Sequence, residues 1–195
     1  MVAHGSESMS DDIQRCKMLI MTSQANHKET IAFFKKNKFF GASEKSFVFF
    51  QQDMLPQVNL SGKLILESKD HLKMGPNGNG GFFQAVANNE DVKKVLKNTE
   101  YVQFVGVDNI INKILDPVFV GYTKENSLHA AGKACLKRDA DEKVGVFCKR
   151  KANGKMVYDI AEYSEISKDD VEAKNEDGSL KFGLGYILIL MVNSQ

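Results

Sequence analysis

Met74-Gly75-Pro76-Asn77-Gly78-Asn79-Gly80-Gly81, running into Phe82-Phe83-Gln84-Ala85-Val86, is the stretch from which the fold is read. Pro76 and Asn77 are turn residues. Gly78, Gly80 and Gly81 remove side chains from a tight segment, so its backbone can approach something flat or charged. The apolar residues after them read as the opening of a helix, whose first N–H groups face an acceptor-rich ligand. Further along, the apolar run Tyr101 to Val107 predicts a strand that delivers Asp108 and Asn109 at its carboxyl end, where open α/β sheets bind ligands. Singly, the glycines read as a surface turn and Asp108 as a cap. Together they point to a nucleotide site with a metal-binding acid.

Working outward, apolar runs alternate with helical patterns. Met18 to Met21 and Ser46 to Phe50 predict buried strands, and Lys63 to Glu67 a third at an edge. Asn26-His27-Lys28-Glu29 predicts a capping box opening a helix with Ile31 and Phe34 on one face, closed by the cations Lys35 to Lys38. Asn89-Glu90-Asp91 opens a helix carrying Val92, Val95 and Leu96. Pro117 to Tyr122 starts another, with Pro in the first turn. Gly145 to Cys148 and Val157 to Tyr163 read as strands paired through Ala152-Asn153-Gly154, and Ser167 to Asp170 as a further capping box. This alternation predicts an α/β fold: one mostly parallel mixed sheet, Met18–Met21, Ser46–Phe50 and Tyr101–Val107 neighbouring in it, with helices on both faces.

Composition narrows the class. The chain has 195 residues, 43% hydrophobic and 26% charged, enough for one sizeable core. We expect a polar segment at residues 1–17 and one domain at 18–195. Its 26 basic against 25 acidic residues leave a net charge of +1, with no basic footprint for nucleic acid. Cys16, Cys135 and Cys148 are three in number and widely spaced, without a zinc pattern, and predict a reducing, cytoplasmic setting. Residues 1–14 lack the apolar core of a signal peptide. Tyr186 to Val192, the longest apolar run, falls short of the roughly 20 residues that cross a bilayer.

Several stretches carry a specific resemblance. Asp70 and Lys73 lead into Met74 to Gly81. Val107-Asp108-Asn109 is followed by Asp116-Pro117-Val118-Phe119, then Lys143-Val144-Gly145-Val146 and Glu162-Tyr163-Ser164-Glu165-Ile166-Ser167. Met21-Thr22-Ser23, Phe50-Gln51-Gln52 with Leu55-Pro56, and Glu176-Asp177-Gly178 fit the same order. The ordered set, from about Met18 to Gly185, resembles the UDP-N-acetylglucosamine (UDP-N-acetylhexosamine) pyrophosphorylases.

The resemblance implies an incomplete nucleotide-diphospho-sugar transferase fold of Rossmann-like type. It implies uridylyl transfer from UTP to N-acetylglucosamine 1-phosphate with release of pyrophosphate, with magnesium as cofactor and no nucleic-acid or membrane partner. In-line attack of the sugar phosphate on the α-phosphorus needs no covalent intermediate, only positioning and charge neutralisation. His4, His27, His71 and His129 indeed form no nucleophile–base pattern. By the resemblance, Gln52 reads the uracil edge, Gly78 and Gly80 lie along the base, and Asn79 reaches toward the sugar phosphate. Asp108 is the magnesium ligand and the one catalytic residue, since a hard cation can be held by one carboxylate together with phosphates and waters. Gly145, Glu162 and Tyr163 form the floor under the N-acetyl sugar. Lys137 and Arg138 resemble a basic stretch of the family but read equally as solvated cations.

Two departures stand beside these matches. The Gly-x-Gly-Thr-Arg loop with which the family grips the triphosphate occurs nowhere in the sequence. Near the other end, Gly185-Tyr186-Ile187-Leu188 stands where the family has a Gly-Asn step and then an Asn-His pair, so Tyr186 replaces a sugar-binding Asn. The expectation is a chain truncated at both ends and inactive by itself. A related UDP-glucose or UDP-sugar pyrophosphorylase is a second reading. A third is a non-catalytic remnant that binds a nucleotide or a partner, with Tyr186 to Val192 as a bare apolar strand open to association.

Overall fold

The computed structural model describes residues 16–194, so the segment expected over 1–17 lies, apart from Cys16 and Lys17, outside the described residues. The remainder divides into two compact units, one ending at Asn98 and the other starting at Thr99.

In the first unit, β1 (Met18–Thr22) and β2 (Phe47–Gln51) pair in parallel, Met18 opposite Phe47 and Thr22 opposite Gln51. The Gln52 N–H extends the pairing to the Thr22 carbonyl at 2.8 Å. Parallel neighbours need a long crossover, and α1 (His27–Lys36) provides it. The two-residue period of β2 sorts its side chains. Phe47 and Phe49 face α1, with ring centroids 5.4 and 5.1 Å from Phe34. Phe50 faces the other way, against Phe82 of α2 (Gly81–Ala87) and with Ala85 and Val92, the latter on α3 (Glu90–Lys97). Helices therefore cover both faces of this pair. The Asn89 carboxamide caps α3, accepting from the N–H groups of Asp91 and Val92. Asn26 does not cap α1. Its Oδ1 turns back to accept from the Ser23 N–H at 2.8 Å, which closes the turn before the helix instead.

Two small antiparallel pairs complete the unit: β3 (Met54–Pro56) with β6 (Met74–Pro76), and β4 (Leu66–Ser68) with β5 (His71–Leu72). The strand expected over Lys63 to Glu67 is reduced to β4 and an isolated bridge from Leu64 to Val58. Leu64 and Leu66 are both exposed, so no buried face holds a longer strand in register.

The second unit is built on one five-stranded sheet, ordered β10-β9-β11-β7 with β8 also on β11. Its strands are β7 (Tyr101–Val105), β8 (Ala130–Leu136), β9 (Val146–Ala152), β10 (Lys155–Ala161) and β11 (Leu184–Asn193). Every pairing in it is antiparallel. This corrects two expectations. β7 is not a parallel neighbour of β1 and β2; it pairs antiparallel with β11. It also stops at Val105, because the chain turns at Gly106. Nor is Tyr186 to Val192 a bare strand. Gly185 pairs with both Cys135 and Val146, and Leu190 to Val192 pair with both β8 and β7. The most apolar run is the centre of the sheet, with Met191 0% and Ile189 4% exposed. A run that is apolar on both faces is stable only where both faces are covered.

Phe119 of α4 (Pro117–Glu125) packs on Ile189 and Met191, with Tyr101, Val120, Ala131 and Ile187 around them. Asp116 ties α4 to β8: Oδ1 accepts from the Val118 N–H and Oδ2 from Lys133 Nζ at 2.6 Å. The expected hairpin is present. β9 and β10 join through Asn153 and Gly154, both left-handed at φ 49° and 78°, the geometry of a two-residue hairpin turn. Ser167 caps the short α5 (Lys168–Glu172) through its hydroxyl, as its pattern predicts. Among the described residues no helix is long and apolar enough to cross a membrane.

Candidate functional site

Gln52, Gly78, Asn79 and Gly80 belong to the first unit, and Asp108, Gly145, Glu162 and Tyr163 to the second. In the first, the β3–β6 pairing sets Met54 opposite Pro76, and the Asn77 N–H donates to the Asp53 carbonyl at 3.1 Å. The segment carrying Gln52 is thereby fastened to the entry of the glycine loop. Gly78 is left-handed, φ 79°, and Gly78, Asn79 and Gly80 are all exposed. A Cβ placed on Gly80 would meet nothing within 4 Å. The loop is therefore open on the side where a flat ligand would lie.

Gln52 supplies the sharpest observation. Its Oε1 is buried and has no hydrogen-bond partner among the described residues. A buried carbonyl without a donor costs about 1–3 kcal/mol, so such an atom marks a place where a donor is missing. Beside it, at the carboxyl end of β1 and β2, a cleft is lined by His27, Phe49, Gln51, Asp53, Asn88 and Asn89. His27 in this cleft escaped the sequence reading, which placed it only within the Asn26 to Glu29 capping box. The Thr22 hydroxyl gives its single proton to the Phe50 carbonyl at 2.9 Å. It can then only accept from His27 Nδ1, 2.7 Å away, which places a proton on Nδ1.

In the second unit Asp108 is exposed in the turn after β7. The Gly106 N–H donates to the Leu188 carbonyl at 3.2 Å. A Cβ on Gly106 would fall 2.6 Å from Asp108 Oδ1 and 2.9 Å from Leu188 Cδ2, so a side chain there would have to push both side chains aside. Leu188 itself is left-handed, φ 52°, at the irregularity in β11 between Tyr186 and Leu190. Among the described residues no three His, Cys, Asp or Glu side chains form a metal-holding group. The donor set is one carboxylate. It fits magnesium only in the mode where phosphate oxygens and waters complete the shell. Sequence reading also missed Asn112, whose Nδ2 and Oδ1 are both buried without a partner among the described residues. Nothing in its sequence context marks it.

Gly145 and Glu162 are brought together. A Cβ on Gly145 would lie 3.4 Å from both Glu162 carboxylate oxygens and 3.2 Å from Ile160 Cγ2. Tyr186 joins them: its N–H donates to the Gly145 carbonyl at 2.6 Å, and its ring meets the Phe147 ring edge-on at 5.4 Å. Burial, and secondarily the Glu162 charge, push the Tyr186 phenol above its usual value. Tyr163 is 51% exposed in the turn that follows β10. Lys137 is anchored locally, its ammonium donating to the Ala140 carbonyl at 2.9 Å.

A model of the UTP--glucose-1-phosphate uridylyltransferase family matches residues 7–182, and the chain belongs to that family. The matched residues end before Tyr186. Among individual relatives, the UDP-N-acetylglucosamine pyrophosphorylase of Saccharomyces cerevisiae is 38% identical over 173 residues, covering 87% of this chain and 35% of its own length. The crystal structure of the uridine diphosphate N-acetylglucosamine pyrophosphorylase of Trypanosoma brucei in complex with an inhibitor superposes with a TM-score of 0.77 at 32% identity, over 91% of this chain and 35% of that one. A UDP-glucose phosphorylase of the same organism, 16% identical, shares the fold with a TM-score of 0.72 over 100% of this chain and 44% of its own. The chain spans about a third of the length of the curated relatives it matches, 37% and 35% for two of them.

Proposed function

We propose that this chain carries the uracil-reading and sugar-holding parts of an enzyme that transfers uridylyl from UTP to N-acetylglucosamine 1-phosphate. In that reaction a phosphate oxygen of the sugar phosphate bonds to the α-phosphorus of UTP as the bond to pyrophosphate breaks, and pyrophosphate leaves. The observation that carries the reading is the buried, unpartnered Oε1 of Gln52 beside an open glycine turn. Uracil presents an N3–H between two carbonyls, and that N–H is the donor Gln52 lacks. Gly78 and Gly80 offer a backbone surface to the base, and Asn79 a carboxamide to the sugar phosphate. Glu162 over Gly145 offers two acceptor oxygens to ring substituents, with Tyr163 next to it in the turn.

Magnesium, when bound, would be held by Asp108 and would neutralise phosphate charge. The 195 residues contain no Gly-x-Gly-Thr-Arg stretch, so for this chain by itself we propose ligand binding without appreciable turnover, in the cytoplasm. Transfer to glucose 1-phosphate is the second reading, supported by the fold shared with a UDP-glucose phosphorylase. Glu162-Tyr163-Ser164-Glu165 favours the N-acetyl sugar. Titration of the purified chain with UTP and with ATP tests the base reading. UTP is expected to bind at least about fivefold more tightly, because a mispaired buried group costs about 1–3 kcal/mol. Equal affinities would remove the role of Gln52.

A further inference from the structure

Strand β10 is the outermost strand of the second unit's sheet, and nothing among the described residues pairs with its outer edge. The hairpin fixes which backbone groups face that edge. A two-residue turn makes Ala152 and Lys155 a hydrogen-bonded pair, and such pairs alternate along an antiparallel ladder. Lys155, Val157, Asp159 and Ala161 therefore direct their N–H and C=O groups to β9, while those of Met156, Tyr158 and Ile160 point outward. The Ile160 N–H agrees: it donates to Asp159 Oδ1 at 2.9 Å, a neighbouring side chain taking the place of a strand acceptor. Exposed edges are usually blunted by proline, a bulge or a short strand. β10 has none of these, and its 7 residues hold an unbroken register with β9. Tyr158, with Lys149 Nζ 4.7 Å from its ring centroid, is 83% exposed, and Met156 on the same face is 64% exposed.

Lys155-Met156-Val157-Tyr158-Asp159-Ile160-Ala161 is complementary to its own reverse. We propose that β10 pairs antiparallel with β10 of a second copy of this chain, about a twofold axis at Tyr158. The outward residues then meet: Met156 lies opposite Ile160 of the second copy and Tyr158 opposite Tyr158, each pair exchanging both backbone N–H···O bonds. These residues share one face, where apolar meets apolar. On the other face Lys155 lies on the diagonal to Asp159 of the second copy, an opposite-charge pair within reach of a long side chain. A slip by one residue would set outward groups against inward ones, and a slip by two would leave Met156 or Ile160 without a strand partner.

Sedimentation velocity of the full chain over a concentration series tests the pairing. The wild-type chain is expected to dimerise as its concentration rises. Tyr158→Lys, which sets like charges on the axis, should lose the dimer while keeping its melting temperature, because Tyr158 is exposed. Cysteine trapping tests the register. Residues of a hydrogen-bonded pair stand about 5.5 Å apart at Cα, within the range that a disulfide spans. Tyr158→Cys should therefore give a disulfide-linked dimer under mild oxidation, above the background of the wild-type chain with its Cys16, Cys135 and Cys148. The two copies of Met156 lie roughly 14 Å apart along the strand, so Met156→Cys should not exceed that background. A wild-type chain that stays monomeric at every concentration leaves the edge to a different partner and overturns the proposal. So does a dimer that survives Tyr158→Lys, or cross-linking of Met156→Cys that matches Tyr158→Cys.

Discussion

Replacing Gln52 with Met separates ligand recognition from folding, because the two should move in opposite directions. Met matches Gln in length and flexibility and carries no amide. The backbone bond from the residue 52 N–H to the Thr22 carbonyl, 2.8 Å, does not involve the side chain and should survive. What changes is the buried Oε1, which has no donor among the described residues. Such an atom costs about 1–3 kcal/mol. Gln52 as a whole is only half-buried, so the lower end applies, a stabilisation of about 1 kcal/mol. For a chain of this size that raises the melting temperature by about 2–4 °C.

The same change removes the acceptor that the proposed reading offers to uracil N3–H. A saturating ligand at about 100 times its Kd stabilises the folded chain by about 2.7 kcal/mol. UMP should therefore raise the melting temperature of the wild-type chain by more than that of Gln52→Met, because the lost hydrogen bond weakens binding by about 1–3 kcal/mol. Circular-dichroism melts of both chains, with and without UMP, give all four numbers. A variant that melts lower than wild type and gains as much from UMP would refute the reasoning. Gln52 would then be an ordinary structural residue.

Two further outcomes are expected. Phe50 is 2% exposed and packs on Phe82 between β2 and α2, so Phe50→Ala should destabilise the first unit by about 3–5 kcal/mol in urea unfolding, and a loss below about 1 kcal/mol would contradict the assigned core. The hydrogen bond from Lys133, with a smaller contribution from the Val118 N–H, holds the Asp116 carboxyl below its ordinary value. A carboxylate depressed on folding contributes stability above its unfolded pKa, about 3.9, and loses it as the pH falls through the folded value. The urea midpoint of the wild-type chain should thus drop on acidification below about pH 4 more steeply than that of Asp116→Asn, and parallel curves would remove the linkage.

Local chemistry was legible in the sequence wherever a few neighbouring residues decide the outcome. Asn89 and Ser167 cap, Asn153-Gly154 turns the hairpin, and Asp116-Pro117 opens a helix, because each depends on contacts within a few positions. Asn26 failed because Ser23, upstream, competed for its carboxamide. The parallel pair β1–β2 was readable from two apolar runs separated by a helix. The partner of β7 was not, since nothing near Tyr101 indicates that residues 189–193 will lie beside it. On the site, the glycine loop and Asp108 announce themselves by residue type. The orphaned Oε1 of Gln52, the tautomer of His27 and the placement of Tyr186 exist only once distant segments meet.

That last placement bears on how the second unit works. β11 cannot run straight past its partners: between Tyr186 and Leu190 the register with β8 shifts, and Leu188 takes a left-handed backbone. For a residue other than glycine this conformation costs of order 1–3 kcal/mol, and surrounding structure must hold it. Gly106 does so by donating its N–H to the Leu188 carbonyl at 3.2 Å. Two residues earlier on the same strand, Tyr186 is pinned to Gly145 beneath Glu162. One stretch of β11 therefore touches both the turn that carries Asp108 and the cluster that carries Glu162. A substitution in this stretch meets both the Asp108 turn and the Gly145–Glu162 cluster, and Tyr186 falls within it.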